Sequence, residues 1–199
     1  LSHVFSSTAL LVSCFVCSLI SNFVEWLNNR KYIKNANKRI KIVEIPNILE
    51  SIPQENAKLK GDNLISVGRL HPVKNFGGLL DVFKLVIEKK PDARLTIVGG
   101  GEERESLEDK IKALGIEEKV SITGMVSKDE VTKNMLNSDV YVMTSLTECF
   151  PMVLLEASSV GLPLVSYDVP VGPEAIIENG KNGFLIPFEE KQEMAAQIV

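Results

Sequence analysis

Residues 64–98 read LISVGRLHPVKNFGGLLDVFKLVIEKKPDARLTIV, and their pattern indicates the fold class. The stretch begins and ends with a short apolar run rich in β-branched residues, which is typical of a buried strand. Between the two runs, Leu79, Phe83 and Val86 recur at i, i+4 and i+7, the spacing of one helix face. Pro91 supplies a stop signal for that helix. The stretch therefore predicts two parallel strands joined by a crossover helix.

The same alternation continues along the rest of the sequence. A second helix face is formed by Leu107, Ile111 and Leu114, and Gly115 follows as its stop signal. Strands that alternate with helices predict an α/β fold, a doubly wound parallel sheet in which ligands bind at the carboxyl ends of the strands. The predicted strands are Leu64–Val67, Arg94–Val98, Val120–Thr123, Val140–Met143, Leu164–Tyr167 and Phe184–Ile186.

The composition is that of a globular protein with a packed core. Of the 199 residues, 45% are hydrophobic and 24% are charged, which excludes disorder for most of the chain. The formal net charge is −4, and a broad, non-specific nucleic-acid surface is not expected because such a surface must be basic. A small anionic ligand held by one or two placed cations is compatible with this charge.

Both ends of the sequence predict a fragment of a longer protein. The sequence begins with Leu1, and residues 189–199 follow a helical pattern without a stop signal. The apolar run of residues 9–20 is about 12 residues long, whereas a transmembrane helix needs about 20. We therefore predict no membrane-spanning segment.

The cysteines are too few for a disulfide framework, which predicts a reducing compartment. They are Cys14, Cys17 and Cys149. The first two form a Cys-x-x-Cys motif inside the apolar run, and we interpret them as core residues rather than as redox or metal-binding groups.

The loop after the first predicted strand is a candidate anion site. Gly68 allows a tight turn and close approach of a ligand to the backbone. Arg69 and Lys74 add two cations, and a forked guanidinium beside an ammonium suits a diphosphate. The alternative is a pair of solvated surface cations. For the neighbouring His71 we favour a loop or capping role over acid–base work.

The glycines at 99–101 follow the second predicted strand but do not form a phosphate-binding P-loop. A P-loop would continue with Gly-Lys-Ser or Gly-Lys-Thr, whereas this turn continues with Glu102 and Glu103, whose carboxylates compete with an anion for the helix dipole. The glycine spacing of a dinucleotide fingerprint is also missing. We predict a flexible turn and an acidic pair that caps the next helix.

Residues 147–157 read TECFPMVLLEA and carry a second candidate site. Pro151 suits the first position of a helix, and the free amides just after it would form an anion site. Glu148 precedes this helix, and Glu156 lies about 7–8 Å past Pro151 along the helix axis. Two carboxylates placed in this way can accept hydrogen bonds from hydroxyls at two points of an extended ligand. The alternative, an exposed helix glutamate at position 156, fits less well because its neighbours are apolar.

Several motifs occur in a fixed order along residues 61–199. They are Gly68-Arg69 with Lys74, Ile97-Val98-Gly99, Gly124, Asp139, Glu148 with Glu156, Gly161-Leu162-Pro163 and Asn182-Gly183. In this order they resemble the C-terminal, nucleotide-sugar-binding domain of retaining glycosyltransferases of family 4 (group 1). That family has the GT-B fold of two Rossmann-like domains. Two positions depart from its pattern, because Cys149 stands where glycine is common and Pro151 replaces the glycine of a common Phe-Gly.

By the same resemblance, the chain has three parts. Residues 1–45 look like the tail of the N-terminal acceptor domain, and residues 46–60 look like the interdomain linker. Residues 61–199 look like the nucleotide-sugar-binding domain, truncated at its C-terminal end. The segment Ile45-Pro46-Asn47 resembles the family's Ile-Pro-Asn-Gly at the domain crossing, with Ile48 in place of the glycine.

The resemblance also implies a role for each candidate residue. Arg69 and Lys74 would hold the donor diphosphate and stabilise its charge as it leaves. Glu148 would contact the hydroxyls of the donor sugar, and Glu156 would contact the ribose. The remaining donor-binding residues would be Gly68 at the first turn, the backbone of Phe150, Pro151, Met152, Val153 and Leu154 along the sugar and phosphate, and Gly124, Met125 and Val126 at the nucleobase.

The implied function is retaining transfer of a hexosyl residue from a UDP- or GDP-sugar to a glycan or lipid-linked acceptor, in polysaccharide or cell-envelope biosynthesis. Transfer would require the full-length protein. The sequence has no Asp-x-Asp pair, and cations with helix amides can stabilise a departing diphosphate, so we predict no cofactor and no metal. The implied location is the cytoplasm, with peripheral association at the inner face of the membrane, and no nucleic-acid partner is expected.

Two other functions stay open. A nucleotide-sugar epimerase shares the GT-B fold, but it would need acid–base residues facing the sugar and would convert a UDP-sugar without an acceptor. A non-catalytic nucleotide-binding module would keep only the fold. The retention of Arg69, Lys74, Glu148 and Glu156 argues against such a module.

Overall fold

The computed structural model describes residues 47–49, 51–170 and 172–199. Residues Ile48–Val199 form one compact unit. The predictions for residues 1–45, including Cys14, Cys17 and the apolar run, lie outside the described residues. The division of the chain into three parts stays a prediction.

A parallel sheet of six strands forms the centre of the compact unit. The strands are β1 (Asn63–Val67), β2 (Arg94–Val98), β3 (Val120–Ile122), β4 (Val140–Met143), β5 (Leu164–Tyr167) and β6 (Gly183–Ile186). Their order is β3-β2-β1-β4-β5-β6, and every neighbouring pair is parallel. All six predicted strands are present, with bounds that agree to within about one residue. The predicted doubly wound α/β fold is therefore confirmed.

The helices are α1 (Phe76–Lys89), α2 (Arg104–Leu114), α3 (Lys128–Leu136), α4 (Met152–Ser159) and α5 (Lys191–Ile198). Both predicted stop signals are confirmed. The first helix ends just before Pro91, and Gly115 caps the second with a left-handed φ of 64°. The predicted position of Pro151 is wrong by about one residue, because its ψ of 94° keeps it extended and it precedes α4 as the N-cap.

Helices cover both faces of the sheet. Successive strand residues point to opposite faces, so Leu64 packs in a core with α1, α2 and α5, whereas Ile65 packs in a second core with α3 and α4. Because both faces are buried, the strands have continuous apolar sequences rather than alternating ones.

The strand order reverses between β1 and β4, which creates a crevice at their carboxyl ends. The whole of β1 pairs with β2, but β1 and β4 pair only at Leu64–Val140 and Ile65–Tyr141. Beyond these two residue pairs, β1 and β4 are no longer paired as strands. In doubly wound sheets this switch point is where ligands bind, and both candidate sites of the sequence lie there.

Candidate functional site

The loop after β1 and the loop after β4 meet in a close ion pair across the switch point. The Nζ atom of Lys74 lies 2.5 Å from Oε1 of Glu148. The Lys74 side chain is 26% exposed and that of Glu148 is 10% exposed, so solvent screens this pair less than a surface pair. The sequence predicts both residues as ligand-binding groups but does not predict that they contact each other.

Lys74 is held by a short 3₁₀ turn at Pro72–Lys74. The Nδ1 atom of His71 accepts a hydrogen bond from the Val73 N–H at 3.2 Å, which caps the turn. This contact confirms the capping role predicted for His71. Across the crevice, the Leu146 N–H donates to the Val73 carbonyl at 2.8 Å and ties the loop after β4 to the same turn.

Asn75 and Thr144 also join the two loops, and the sequence analysis missed both. The Asn75 side chain caps α1 by accepting a hydrogen bond from the Gly78 N–H at 3.1 Å, while its amide donates to the Thr144 carbonyl at 3.2 Å. An asparagine just before an apolar helical pattern is an N-cap signal that could have identified Asn75. No signal in the sequence indicates the partner of Thr144, because that contact depends on the order of the strands.

Tyr141, on β4, anchors the end of β1. Its buried hydroxyl accepts a hydrogen bond from the Val67 N–H at 3.3 Å and donates to the Val67 carbonyl at 3.2 Å. Burial raises the pKa of this phenol, and the carboxylates of Glu148 and Glu156 raise it further, so the hydroxyl keeps its proton. These bonds replace the strand pairing that β1 and β4 lack at this point. The sequence marks Tyr141 only as a strand residue.

Arg69 takes a different direction from Lys74. Its side chain is 73% exposed, and its Nη2 atom lies 3.5 Å from Oε2 of Glu102, which in turn lies 3.6 Å from Nε2 of His71 through its other oxygen. A hydrogen bond from the Glu102 backbone N–H lowers the pKa of the Glu102 carboxyl, and the charges of Arg69 and His71 lower it further. Glu102 is therefore an anion that is already in place beside one of the two predicted phosphate-binding cations.

The prediction that Glu102 and Glu103 cap α2 is wrong. Glu103 occupies the N-cap position but makes no side-chain capping hydrogen bond, and the Glu102 carboxylate faces Arg69 and His71. The physical reason is that Arg69 and His71 attract the Glu102 carboxylate, while the bond from the Glu103 N–H to the Leu70 carbonyl ties this turn to the loop after β1.

The glycine turn is packed rather than flexible, which corrects the second part of that prediction. A Cβ atom on Gly99 would lie 1.9 Å from the Gly68 carbonyl oxygen, and one on Gly101 would lie 2.3 Å from that of Leu70. The Leu70 N–H donates to the Gly100 carbonyl at 3.0 Å. The glycines therefore allow two loop backbones to touch.

An open cleft of about 580 Å³ adjoins these loops. The ends of β1 and β2 line it, and so does Met125, which is 89% exposed. Its lining contains four predicted donor-binding residues, Gly68, Arg69, Met125 and Val126. The other lining residues are Val67, Val98, Gly99, Gly100, Gly101 and Val131.

The start of α4 differs in part from the prediction. Pro151 and Leu154 are buried, whereas Phe150, Met152 and Val153 are half-buried. Leu154 lies in the core and its N–H donates to the Pro151 carbonyl at 3.0 Å, so this amide is not free for a sugar or phosphate. The reason is that the extended Pro151 places its carbonyl within reach of the first turn of the helix.

Glu156 lies on α4 with its side chain half-buried. Burial raises the pKa of its carboxyl, and the positive charge of Lys128 opposes that rise. It lines a small cavity of about 40 Å³ together with Lys128 and Thr132, and Val131 lines both this cavity and the larger cleft. The alternative of a fully exposed helix glutamate does not hold.

Within the described part of the chain, no group of three or more His, Cys, Asp or Glu residues is placed to hold a metal ion. None of its helices has the length and apolar character needed to cross a membrane.

A comparison with known proteins shows the family to which the chain belongs. Residues 47–199 match the family described as Glycosyl transferases group 1. The chain belongs to this family. Its relatives include an uncharacterised glycosyltransferase of Haemophilus influenzae (36% identical over 154 residues) and the amylovoran biosynthesis glycosyltransferase AmsD of Erwinia amylovora (37% over 139 residues).

These alignments cover 77% and 70% of the group 1 chain but only 43% and 38% of the two relatives. The chain thus spans about two fifths of the length of the curated relatives it matches. Among solved structures, the pneumococcal O-GlcNAc transferase GtfA, in complex with UDP and GlcNAc, superposes with a TM-score of 0.73 and 28% identity. That superposition covers 87% of this chain and 36% of GtfA, and it confirms the Rossmann-like fold of GT-B glycosyltransferases for this part of the protein.

The contact between Glu102 and Arg69 leads to a first prediction for this member of the group 1 family. Glu102→Gln is expected to tighten binding of a nucleoside diphosphate about two- to fivefold, because the variant removes a carboxylate that competes for Arg69. The gain should shrink as salt is raised, since the pair is exposed. Isothermal titration of the full-length protein at low and high salt measures both effects.

Glu105→Gln is the matched control, because it makes the same charge change in the first turn of α2. Equal gains in the two variants would show that net charge, and not competition for Arg69, is responsible.

Proposed function

We propose that this chain is the donor-binding part of a retaining, family 4 glycosyltransferase. It would move a hexosyl residue from a UDP- or GDP-sugar to a glycan or lipid-linked acceptor. The observation that carries the proposal is the Lys74–Glu148 pair, 2.5 Å apart at the carboxyl ends of β1 and β4. It combines a cation suited to a diphosphate with a carboxylate suited to sugar hydroxyls, beside an open cleft.

The pair suggests how a donor would bind. A diphosphate that reaches Lys74 replaces Glu148 as the partner of the ammonium group, and Glu148 then accepts hydrogen bonds from the hydroxyls of the sugar. Glu148 exchanges one partner for another and is not left buried without one, which keeps the cost of binding low. Arg69 would provide a second cation from the rim of the cleft after leaving Glu102.

In the transfer step, the bond between the anomeric carbon and the diphosphate oxygen breaks and a bond to the acceptor oxygen forms. The negative charge of the leaving diphosphate grows as its bond breaks, and an oxygen of this diphosphate takes up the proton that the acceptor hydroxyl loses. Lys74 and Arg69 would stabilise that charge, and fixed charges stabilise a transition state well because they need little reorganisation. We propose that these cations suffice without a metal.

The nucleoside would occupy the cleft, with its base against Val126 and the exposed Met125, and its ribose toward Glu156. Apolar walls with a few polar groups are typical of small-molecule sites. GtfA, whose structure contains UDP and GlcNAc, supports a nucleotide-sugar donor, and AmsD supports a role in polysaccharide biosynthesis. We extend the proposal to a cytoplasmic enzyme that associates peripherally with the inner face of the membrane.

A thermal-shift panel on the full-length protein tests this function. Either the UDP or the GDP series is expected to raise the unfolding temperature, because a ligand at 100 times its Kd stabilises the native state by about 2.7 kcal/mol. The shift should persist in EDTA if no metal is needed. No shift with any nucleotide sugar would overturn the proposal.

Activity assays on the full-length protein distinguish the two other functions from glycosyl transfer. Conversion of a UDP-sugar in the absence of any acceptor would identify an epimerase. Binding without either conversion or transfer to the glycan and lipid-linked acceptors of the source cell would identify a non-catalytic module.

A further inference from the structure

Thr144 follows β4 directly and is 1% exposed. Its hydroxyl donates to the Asn75 carbonyl at 3.0 Å and also lies 3.3 Å from the Lys74 carbonyl. Its own carbonyl accepts from the Asn75 side-chain amide at 3.2 Å. Thr144 and Asn75 thus bind each other reciprocally across the switch point, and the backbone of Lys74 is part of the contact.

Asn75 is held in an uncommon conformation by these bonds. Its φ of 52° is left-handed, a region that favours glycine and that asparagine tolerates better than most residues. Its side chain spans from the Gly78 N–H to the Thr144 carbonyl. A Cβ atom on Gly78 would lie 2.6 Å from this side chain, so the position of Asn75 also requires glycine at 78.

These contacts fix the position of the Lys74 backbone, from which its side chain reaches Glu148. The Lys74 side chain is long and has several rotatable bonds, so Nζ meets Glu148 reliably only if its backbone is fixed. The Thr144 hydroxyl fixes that backbone, and Glu148 follows Thr144 after only a few residues of the same loop. Leu146 lies between Thr144 and Glu148 in the sequence, and its N–H bond to the Val73 carbonyl also holds the loop after β4 against the turn that carries Lys74.

We propose that Thr144 is a positioning residue for glycosyl transfer. Its buried hydroxyl holds the backbone of Lys74 and Asn75 against the end of β4, so that Lys74 and Glu148 act on one donor together. This inference rests on the proposed function. Catalytic groups must be held within a fraction of an ångström of their productive positions, and a displacement of about 1 Å can cost about 100-fold in rate.

Thr144→Val in the full-length protein tests the inference, because valine keeps the branched shape and removes the hydroxyl. We expect kcat to fall tenfold or more, while the Kd for the free nucleoside diphosphate changes less than threefold. Thr144→Ser restores a hydroxyl and should recover most of the lost kcat. A purely structural role would lower the unfolding temperature without this selective loss.

Ser166→Ala is the matched control. Ser166 is a fully buried hydroxyl on the neighbouring β5, and it donates only to the next carbonyl, that of Tyr167. Its loss should lower the unfolding temperature and leave kcat unchanged. Wild-type kcat in Thr144→Val, or an equal loss of kcat in Ser166→Ala, would overturn the inference.

A second measurement is independent of activity. The coupling between Lys74 and Glu148 is obtained from a double-mutant cycle in denaturant, once in the wild-type background and once with Thr144→Val. We expect at least half of the coupling to be lost in the second background, and unchanged coupling contradicts the positioning role. If no nucleotide sugar binds the wild type, the proposed function fails, whereas the coupling result still decides the role of Thr144.

Discussion

Lys74→Ala is expected to weaken binding of a nucleoside diphosphate by about 1.5–3 kcal/mol, the range for a hydrogen bond to a charged group, or about 10- to 150-fold. The reason is that Lys74 is the cation at the switch point and is already shielded from solvent by its contact with Glu148. Binding of the nucleoside without phosphates should not change. Titration calorimetry with the diphosphate and with the nucleoside measures the difference.

Two further variants make this prediction specific. Lys112→Ala removes the same charge from an exposed pair with Asp109 on α2 and should leave the affinity at the wild-type value. Because Lys74→Ala also leaves the 10% exposed Glu148 carboxylate without its cation, it should lower the stability as well. The double variant Lys74→Ala/Glu148→Gln should recover stability but not affinity. Wild-type affinity in Lys74→Ala would remove this residue from the site.

Glu148→Gln is expected to lower kcat about 100-fold or more with little change in affinity for the free nucleoside diphosphate. Glutamine has the same shape but cannot accept strong, charge-assisted hydrogen bonds from the sugar hydroxyls, whose environment changes as the glycosyl bond breaks. The affinity for the diphosphate should even rise slightly, because Lys74 loses its internal partner. Steady-state kinetics and calorimetry on the same preparation separate the two effects.

Glu156→Gln is the comparison that tests the division of roles. It should weaken nucleotide binding more than turnover, since we assign this carboxylate to the ribose. If both variants weakened nucleotide binding equally, the assignment of one glutamate to the sugar and the other to the ribose would be wrong.

The pH dependence of nucleotide binding gives Glu156 a further signature. Burial raises the pKa of its carboxyl above the ordinary glutamate value of 4.5. Nucleotide affinity of the wild type should therefore fall as the pH drops through this raised pKa, and the Glu156→Gln variant should not show that fall. The folded state holds this proton more tightly than the unfolded state, so the Glu156 contribution to stability declines as pH rises from about 4.5 through the raised pKa. The variant should lack this decline too.

Much of the fold could be predicted because its determinants are local. Apolar runs such as Val140–Met143 have no polar face, and only a strand covered on both sides buries them. Gly115 ends α2 because glycine enters the left-handed region at low cost. The loops with Arg69, Lys74 and Glu148 follow from the rule that ligands bind at the carboxyl ends of parallel strands.

The strands, the helix ends and the loops that carry charged groups therefore follow from local sequence patterns. Which of these charges meet depends on the tertiary fold. Lys74 and Arg69 lie on the same loop, yet the first contacts Glu148 from the loop after β4 and the second contacts Glu102 from the loop after β2. The hydroxyls of Tyr141 and Thr144 likewise act on residues from the end of β1. Each of these contacts joins parts of the chain that are distant in sequence, and they depend on the strand order, which places β1 between β2 and β4.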